Sequence, residues 1–417
     1  VIGVIKMTNI LQAVQTYQAS GLGLLQNQNC FIGTANTKFK DFENKTANLG
    51  NTVTFDLPPR FVFQNSLVVS NFEGVQQRVL PLTVNQQGAV PFAFDAEQLI
   101  FNIENNNYEE PLEKSAIAEL GANVEANLAS NILTSTYRFY GDGTTAIDSF
   151  TQLASALAFY RNYGAPVSDI RGYLSDIDVP TIVGTGLNQF VMNRNEELAN
   201  DWEIGRFSKA DWYSSNLLPL QQAGTVGNAG QVLTVISIST DGTQITLSGA
   251  TASDANAIKA GDLLQFQDNV SGQPNMRYLT FIGHLPSANP VQVLATANAG
   301  ADGSGHVVIT VNPPLISTPG NSNQNINNPV AAGMQLKALP NHRAGMINGG
   351  KAMFLAMPRL PDQSPFVTAN KYDSETGVSL RFTYGSQFGQ NVYGSIYDVI
   401  WGYTIVPEYS MRLIFPA

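Results

Sequence analysis

Between Tyr108 and Tyr140 the chain reads as one long helix, and no other stretch restricts the possible folds so strongly. Glu109, Glu110 and Glu113 put negative charge on the first turn, where the helix dipole is positive, and Pro111 stands where a first-turn proline is tolerated. Ile117, Leu120, Val124, Leu128 and Ile132 then recur at spacings of three and four, while Glu119, Asn123, Glu125, Asn127 and Asn131 fall largely off that stripe. Roughly 25 helical residues span on the order of 38 Å before Gly141-Asp142-Gly143 ends the run. A rod with one apolar face needs the rest of the chain to cover it.

The rest of the chain is poor in charge. Charged residues make up 13% of the 417, with Asn, Gln, Ser, Thr, Gly and Ala in their place, so much of the surface is uncharged and suits large contacts between subunits. A net charge of −10 argues against nucleic acid as a directly bound partner, because such binding needs clustered Lys and Arg. The single cysteine, Cys30, excludes an intrachain disulfide and reads as a small buried hydrophobe. No run of about 18 apolar residues is available to span a membrane. Val1 to Lys6, ahead of Met7, are too few for the apolar core of a secretory signal.

In chain order, Asn9 to Leu25 is a short amphipathic arm that should gain order only by lying on another surface. Thr52 to Phe63, Leu67 to Phe72, Arg78 to Val84 and Val90 to Phe94 read as strands of a long hairpin, with Pro58, Pro59 and Pro81 at edges or bends. Ser149 to Tyr160 has helical spacing, Pro180 to Gly184 resembles a buried strand and Leu187 to Ala199 a second helix, which makes a mixed α+β layer. Trp202, Trp212 and Tyr213 suit a core or a subunit interface.

From Gly230 helical spacing gives way to six short strands: Val232–Ser239, Thr243–Leu247, Leu263–Phe266, Leu279–Ile282, Val291–Ala295 and His306–Val311. Thr240-Asp241-Gly242 and the Ala301 to Gly305 stretch supply turns, so this block reads as a small barrel or sandwich with its own core. Ser317 to Pro329 reads as its exit linker. Gly350–Ala356, Ser379–Tyr384, Val392–Val406 and Met411–Ile414 return to strands, with Val399 to Tyr403 in the core.

Motifs for chemistry are missing: no G-x-S-x-G, Walker sequence, C-x-x-C or H-E-x-x-H occurs, and no catalytic, cofactor-binding or metal residue is assigned. His284, His306 and His342 stand apart, and Gly184-Thr185-Gly186 lacks the third glycine of a dinucleotide loop and reads as a turn. Asp142 with Asp148, and Asp302 near His306, do not make a calcium loop.

The order of parts resembles the major coat proteins of tailed bacteriophages with the HK97 fold. The position of the barrel resembles the P22-like coat proteins, through Thr243–Ser248, Lys259–Phe266 and Gly305–Thr310. The resemblance implies an α+β chain divided into an N-terminal arm (1–48), an extended hairpin or E-loop (49–95), a peripheral domain with the spine helix (96–148), the first part of an axial domain (149–223), an inserted all-β barrel (224–316) and a return through both domains (317–417). It further implies a non-enzymatic capsid subunit without cofactor or membrane partner, made in the bacterial host cytoplasm and resident in the virion. Hexamers and pentamers would enclose double-stranded DNA without reading its sequence, aided in assembly by a scaffolding protein and a portal.

In the resemblance the hairpin reaches onto neighbours, which makes Arg60, Phe61, Phe63, Leu67, Val68 and Arg78, with Glu113 and Glu119 on the spine, candidate subunit-contact residues. Phe61, Phe63, Leu67 and Val68 would pack, and Arg60 or Arg78 would bond a neighbour's Glu113 or Glu119. Some relatives cross-link covalently through a hairpin lysine, but no lysine lies between Lys45 and Lys114, so the contacts are expected to be non-covalent. The tight turn at Thr240–Thr243 stands where P22-like relatives carry a longer charged loop that contacts an adjacent capsomer. Other readings remain: an encapsulin-like compartment, which shares the fold but ordinarily lacks the barrel; a glycan- or receptor-binding β-rich protein of a virion or a secretion; and an enzyme such as a hydrolase, against which the sparse histidines and absent motifs weigh.

Overall fold

A computed structural model describes residues 30–37, 52–61, 63, 77–95, 109–186, 205–281, 283–350, 352–363, 366–373, 378–386 and 392–417. The arm at Asn9–Leu25, the run Leu67–Phe72, the helix read at Leu187–Ala199 and Trp202 lie outside them. The chain divides into two compact units, the first made of Val1–Phe55, Val79–Ala129 and Met353–Thr404, the second of Asp56–Arg78, Ser130–Ala352 and Ile405–Ala417.

In the first unit the helix Glu109–Ser130 runs for 22 residues, ~33 Å at 1.5 Å per residue. Ile117, Leu120, Val124 and Leu128 of its stripe are buried, and Glu119 and Asn123 are exposed. Glu125, read as lying off the stripe, is 1% exposed. It faces the short helix Cys30–Thr34, where its carboxylate accepts the backbone N–H groups of Phe31 at 2.6 Å and Ile32 at 3.1 Å and the Cys30 thiol at 3.1 Å. Those N–H groups have no partner inside their own first turn, which is why a buried acid is tolerated there.

Beside the helix lies a sheet in the order Thr52–Leu57, Arg78–Asp95, Val392–Ile405, Val378–Ser386, Val367–Asp373, antiparallel from Arg78–Asp95 through to Val367–Asp373, with Met353–Ala356 also paired to Val392–Ile405. Arg78–Asp95 is one strand where two were read, because the ladder from Val84↔Gly402 to Asp95↔Val392 carries the polar stretch Gln86–Gly88 along with it. Pro81 precedes that ladder, so its missing N–H breaks no bond to Val392–Ile405. Val399 and Trp401 are buried, and the Trp401 indole donates to Asn127 Oδ1 at 3.2 Å.

In the second unit the long helix does not continue to Tyr140. Asn131 interrupts it, its side-chain oxygen accepting from Thr134 Oγ1 and Ser135 Oγ, and a last turn Ile132–Ser135 follows. Arg412, fully buried, then donates to the carbonyls of Ile132, Leu133 and Thr136 and ends it, so Phe139–Tyr140 is free to join a sheet. That mixed sheet has the order Phe139–Tyr140, Ser410–Pro416, His342–Asn348, Ile170–Ser175, Ala210–Ser215, Arg206–Phe207, with Leu220–Gln221 also on His342–Asn348. Gly172 stands opposite Trp212, and any Cβ there would lie 2.3 Å from the indole; the glycine lets that ring be buried.

Phe150–Asn162 is helical as read, but the strand read at Pro180–Gly184 is the helix Val179–Gly186, which also contains the supposed Gly184-Thr185-Gly186 turn. Pro180 sits in its first turn, where no N–H is needed, and the adjacent pair Ile182–Val183 is buried, a short apolar pattern that fits either element. The strand of this region is Ile170–Ser175.

The β-rich block forms a closed barrel of six strands, in the order Leu263–Phe266, Gln292–Ala295, His306–Asn312, Gln244–Ser248, Val232–Ile238, Gln335–Ala338. Five were read from the sequence. The sixth lies well past 316, and the run read at Leu279–Ile282 contributes instead to a separate ribbon of Arg277–Leu279 with Pro286–Pro290. Nor is Ser317–Pro329 a free linker. Ile326 is buried and bridged to Tyr278, Asn325 takes the Ile316 N–H and donates to the Pro314 carbonyl, and Asn327 takes the Arg277 N–H. A stretch rich in Asn satisfies backbone groups with its own side chains and so packs without regular structure. The barrel's core is continuous with Tyr137, Phe139, Tyr163 and Ile414 of the same unit.

Candidate subunit-contact surface

Phe61 is 65% exposed and Phe63 84%, values at which an aromatic ring contributes nothing to its own unit's core. Both follow Pro58-Pro59-Arg60 at the end of the strand Thr52–Leu57, where two prolines cannot donate to a ladder and the strand stops. Leu67 and Val68 lie outside the described residues. Glu119 is exposed on the long helix and accepts from Asn123 Nδ2 at 2.9 Å; Glu113 is on the same helix, its side chain outside what is described.

The two arginines both have a partner within their own chain. Arg60 donates to Glu408 Oε1 at 2.5 Å, and Arg78 donates to the same oxygen, so both guanidinium groups are bonded within their own chain to an acid that the sequence reading did not single out. Arg60 also stacks on Phe281, its guanidinium carbon 4.4 Å from the ring centroid, and Arg78 stands 5.8 Å from it. Phe281 in turn meets Tyr409 edge-on at 5.8 Å.

Behind this pair lies Arg138, 1% exposed, whose guanidinium donates to the carbonyls of Glu408 at 2.7 Å and Ser410 at 3.1 Å and stacks over Tyr163 at 4.2 Å. Tyr160 donates to the Tyr409 carbonyl at 3.1 Å, burial pushing its hydroxyl up to about 12 and keeping it neutral. Three cations, Arg60, Arg78 and Arg138, and three aromatic rings, Phe281, Tyr160 and Tyr163, thus gather about the one-turn helix Pro407–Tyr409. The sequence carries one signal for Glu408: it is the single acid between Asp398 and the end of the sequence, in a run dominated by apolar residues, and an acid in such a run must be paired when buried.

Each of the three histidines is engaged by a neighbouring group of its own. His342 is fully buried and bonds the Pro340 carbonyl, His284 lies 3.2 Å from the Ser322 carbonyl, and His306 lies 3.4 Å from Asp302. Among the described residues no group of three His, Cys, Asp or Glu side chains is arranged to hold a metal ion, and no helix is long and apolar enough to cross a membrane. Asp142 is engaged by its own turn, accepting from Thr144 and Thr145, which holds its carboxyl down at about 2 against the opposing effect of desolvation.

No family model matches the chain, and no curated protein matches it. Solved structures similar to it include one of Mycobacterium phage Che8, with 9% identity and a TM-score of 0.45 over 93% of this chain and 91% of that one. A second is the capsid structure of the Cyanophage P-SCSP1u, with 10% identity and a TM-score of 0.42 over 89% of this chain and 85% of that one. A third is a virus-like particle from Pyrococcus furiosus, with 7% identity and a TM-score of 0.40 over 96% of this chain and 99% of that one.

Proposed function

We propose that this chain is the structural subunit of an icosahedral capsid of the tailed-phage type. The observation that carries this reading is the exposure of Phe61 and Phe63 next to a partly buried, ion-paired arginine cluster, on a chain with few charged residues anywhere to keep copies apart. Exposed rings on an ordered stem are contact residues waiting for a partner, and identical copies supply the partner at high concentration. The order of parts supports the same reading: a hairpin stem, a long amphipathic helix, a mixed α+β body and a barrel.

In this reading hexamers and pentamers form around double-stranded DNA that is enclosed without sequence-specific contact, with a scaffolding protein and a portal taking part in assembly. The chain acts by packing and not by catalysis. The test is electron microscopy of the expressed chain, alone and with Phe61→Ser and Phe63→Ser together. Closed shells from the natural sequence and open or absent shells from the double variant are expected; discrete monomers from both would overturn the proposal. Shells that enclose protein cargo and never DNA would move the reading to an encapsulin-like compartment.

A further inference from the structure

Arg60 and Arg78 flank the exposed pair Phe61 and Phe63 on the sequence, and both are tied to one oxygen of one residue, Glu408, which lies 348 and 330 positions further along. We infer that Glu408 is a clasp: it draws the two flanks together and thereby sets how Phe61 and Phe63 are presented to a second copy of this chain. The effect on assembly rests on the capsid reading above, whereas the clasp itself does not.

The geometry makes this more than a surface ion pair. The Arg60 and Glu408 side chains are 9% and 14% exposed, so solvent screens their attraction weakly. Two guanidinium groups sharing one carboxylate oxygen repel each other, and only the anion between them offsets that repulsion. Phe281 fixes the plane of Arg60, and Arg138 holds the Glu408 backbone carbonyl, so the carboxylate has little freedom to follow a departing partner. Neutralising Glu408 therefore leaves two adjacent, half-buried cations, and the flanks separate. A glutamine retains an acceptor oxygen but not the charge, which distinguishes the electrostatic clasp from a simple hydrogen bond.

The test uses the full-length, unassembled chain and chymotrypsin, with products identified by mass spectrometry. Cleavage after Phe61 and Phe63 is expected to accelerate at least about fivefold in Glu408→Gln, with cleavage elsewhere and the far-ultraviolet circular dichroism unchanged. Arg78→Gln leaves the Arg60–Glu408 pair intact and so guards against a folding failure; it should accelerate the same cuts about twofold to threefold. Combined Arg78→Gln and Glu408→Gln, which removes the repulsion between like charges, should be slower to cleave than Glu408→Gln alone. Natural cleavage rates in Glu408→Gln and Arg78→Gln overturn the clasp. Faster cleavage with undiminished yield of closed particles overturns its control of assembly. Faster cleavage in a chain that forms no particle in any variant overturns the capsid reading and upholds the clasp.

Discussion

Glu125 and Phe31, 94 positions apart, are joined by a 2.6 Å hydrogen bond from the Phe31 backbone N–H to a carboxylate that is itself buried. Burial raises the Glu125 carboxyl above its usual range, against the lowering effect of the Phe31, Cys30 and Ile32 donors. Removing the acceptor with Glu125→Ala leaves these donors without a partner and should cost about 1–3 kcal/mol in a denaturant melt. Because the folded-state value is raised, the folded form holds its proton to higher pH than the unfolded form does. The contribution is therefore most favourable below the ordinary carboxyl range and diminishes as pH rises through the raised value. Glu125→Gln, which cannot titrate, should lose that slope, and an unchanged pH profile in this variant would contradict the assignment.

His342 carries the opposite dependence. Burial first, and then the Arg412 guanidinium 3.4 Å away, lower its imidazole to about 4. The unfolded chain takes up this proton near pH 6.5, the folded chain only near 4, so stability falls as pH drops between those values. The whole loss amounts to about 3 kcal/mol at 1.36 kcal/mol per unit. Melts of His342→Asn should show a flatter profile between pH 6.5 and 4 than the natural chain; identical slopes would exclude His342 as their source.

The barrel closes only when Gln335–Ala338 bonds both Leu264–Phe266 and Val232–Thr234. A fragment from Gly224 to Ser317 lacks that strand and leaves two open edges, and it should aggregate or melt without a cooperative transition. A fragment from Gly224 to Pro340 should give a β-type circular dichroism spectrum and a cooperative melt, though at a lower temperature than the full chain, since Tyr137, Phe139, Tyr163 and Ile414 complete the core. A monomeric, cooperatively folded shorter fragment would contradict the role of the sixth strand.

With no lysine between Lys45 and Lys114, the hairpin region has no amine to form an isopeptide bond, and Arg60 and Arg78 are always protonated and poor nucleophiles. Particles boiled in detergent should run as a single band near 45.0 kDa. A ladder of multimers resistant to reductant would show covalent joining by another route.

The sequence by itself determined the elements whose signal is short-range. The stripe from Ile117 to Ile132 and the alternation in Val232–Ile238, Gln244–Ser248 and His306–Asn312 are repeats of about 3.6 and 2 residues, each written in a short contiguous stretch of chain and independent of what packs on it. Where the pattern is too short to discriminate, as at Ile182–Val183, it fits a buried strand as well as a helix, and tertiary packing makes it a helix. Tertiary structure alone decided which polar residues were paid for by a distant partner. Glu125 looked like part of a solvated face until the first turn of Cys30–Thr34 was placed against it; Gln335–Ala338 became the sixth barrel strand through two ladders to segments far back in the chain; and Arg60 and Arg78 found Glu408 more than three hundred residues away. Burying a charge is costly unless its partner is already in position, and only the folded chain brings such partners together.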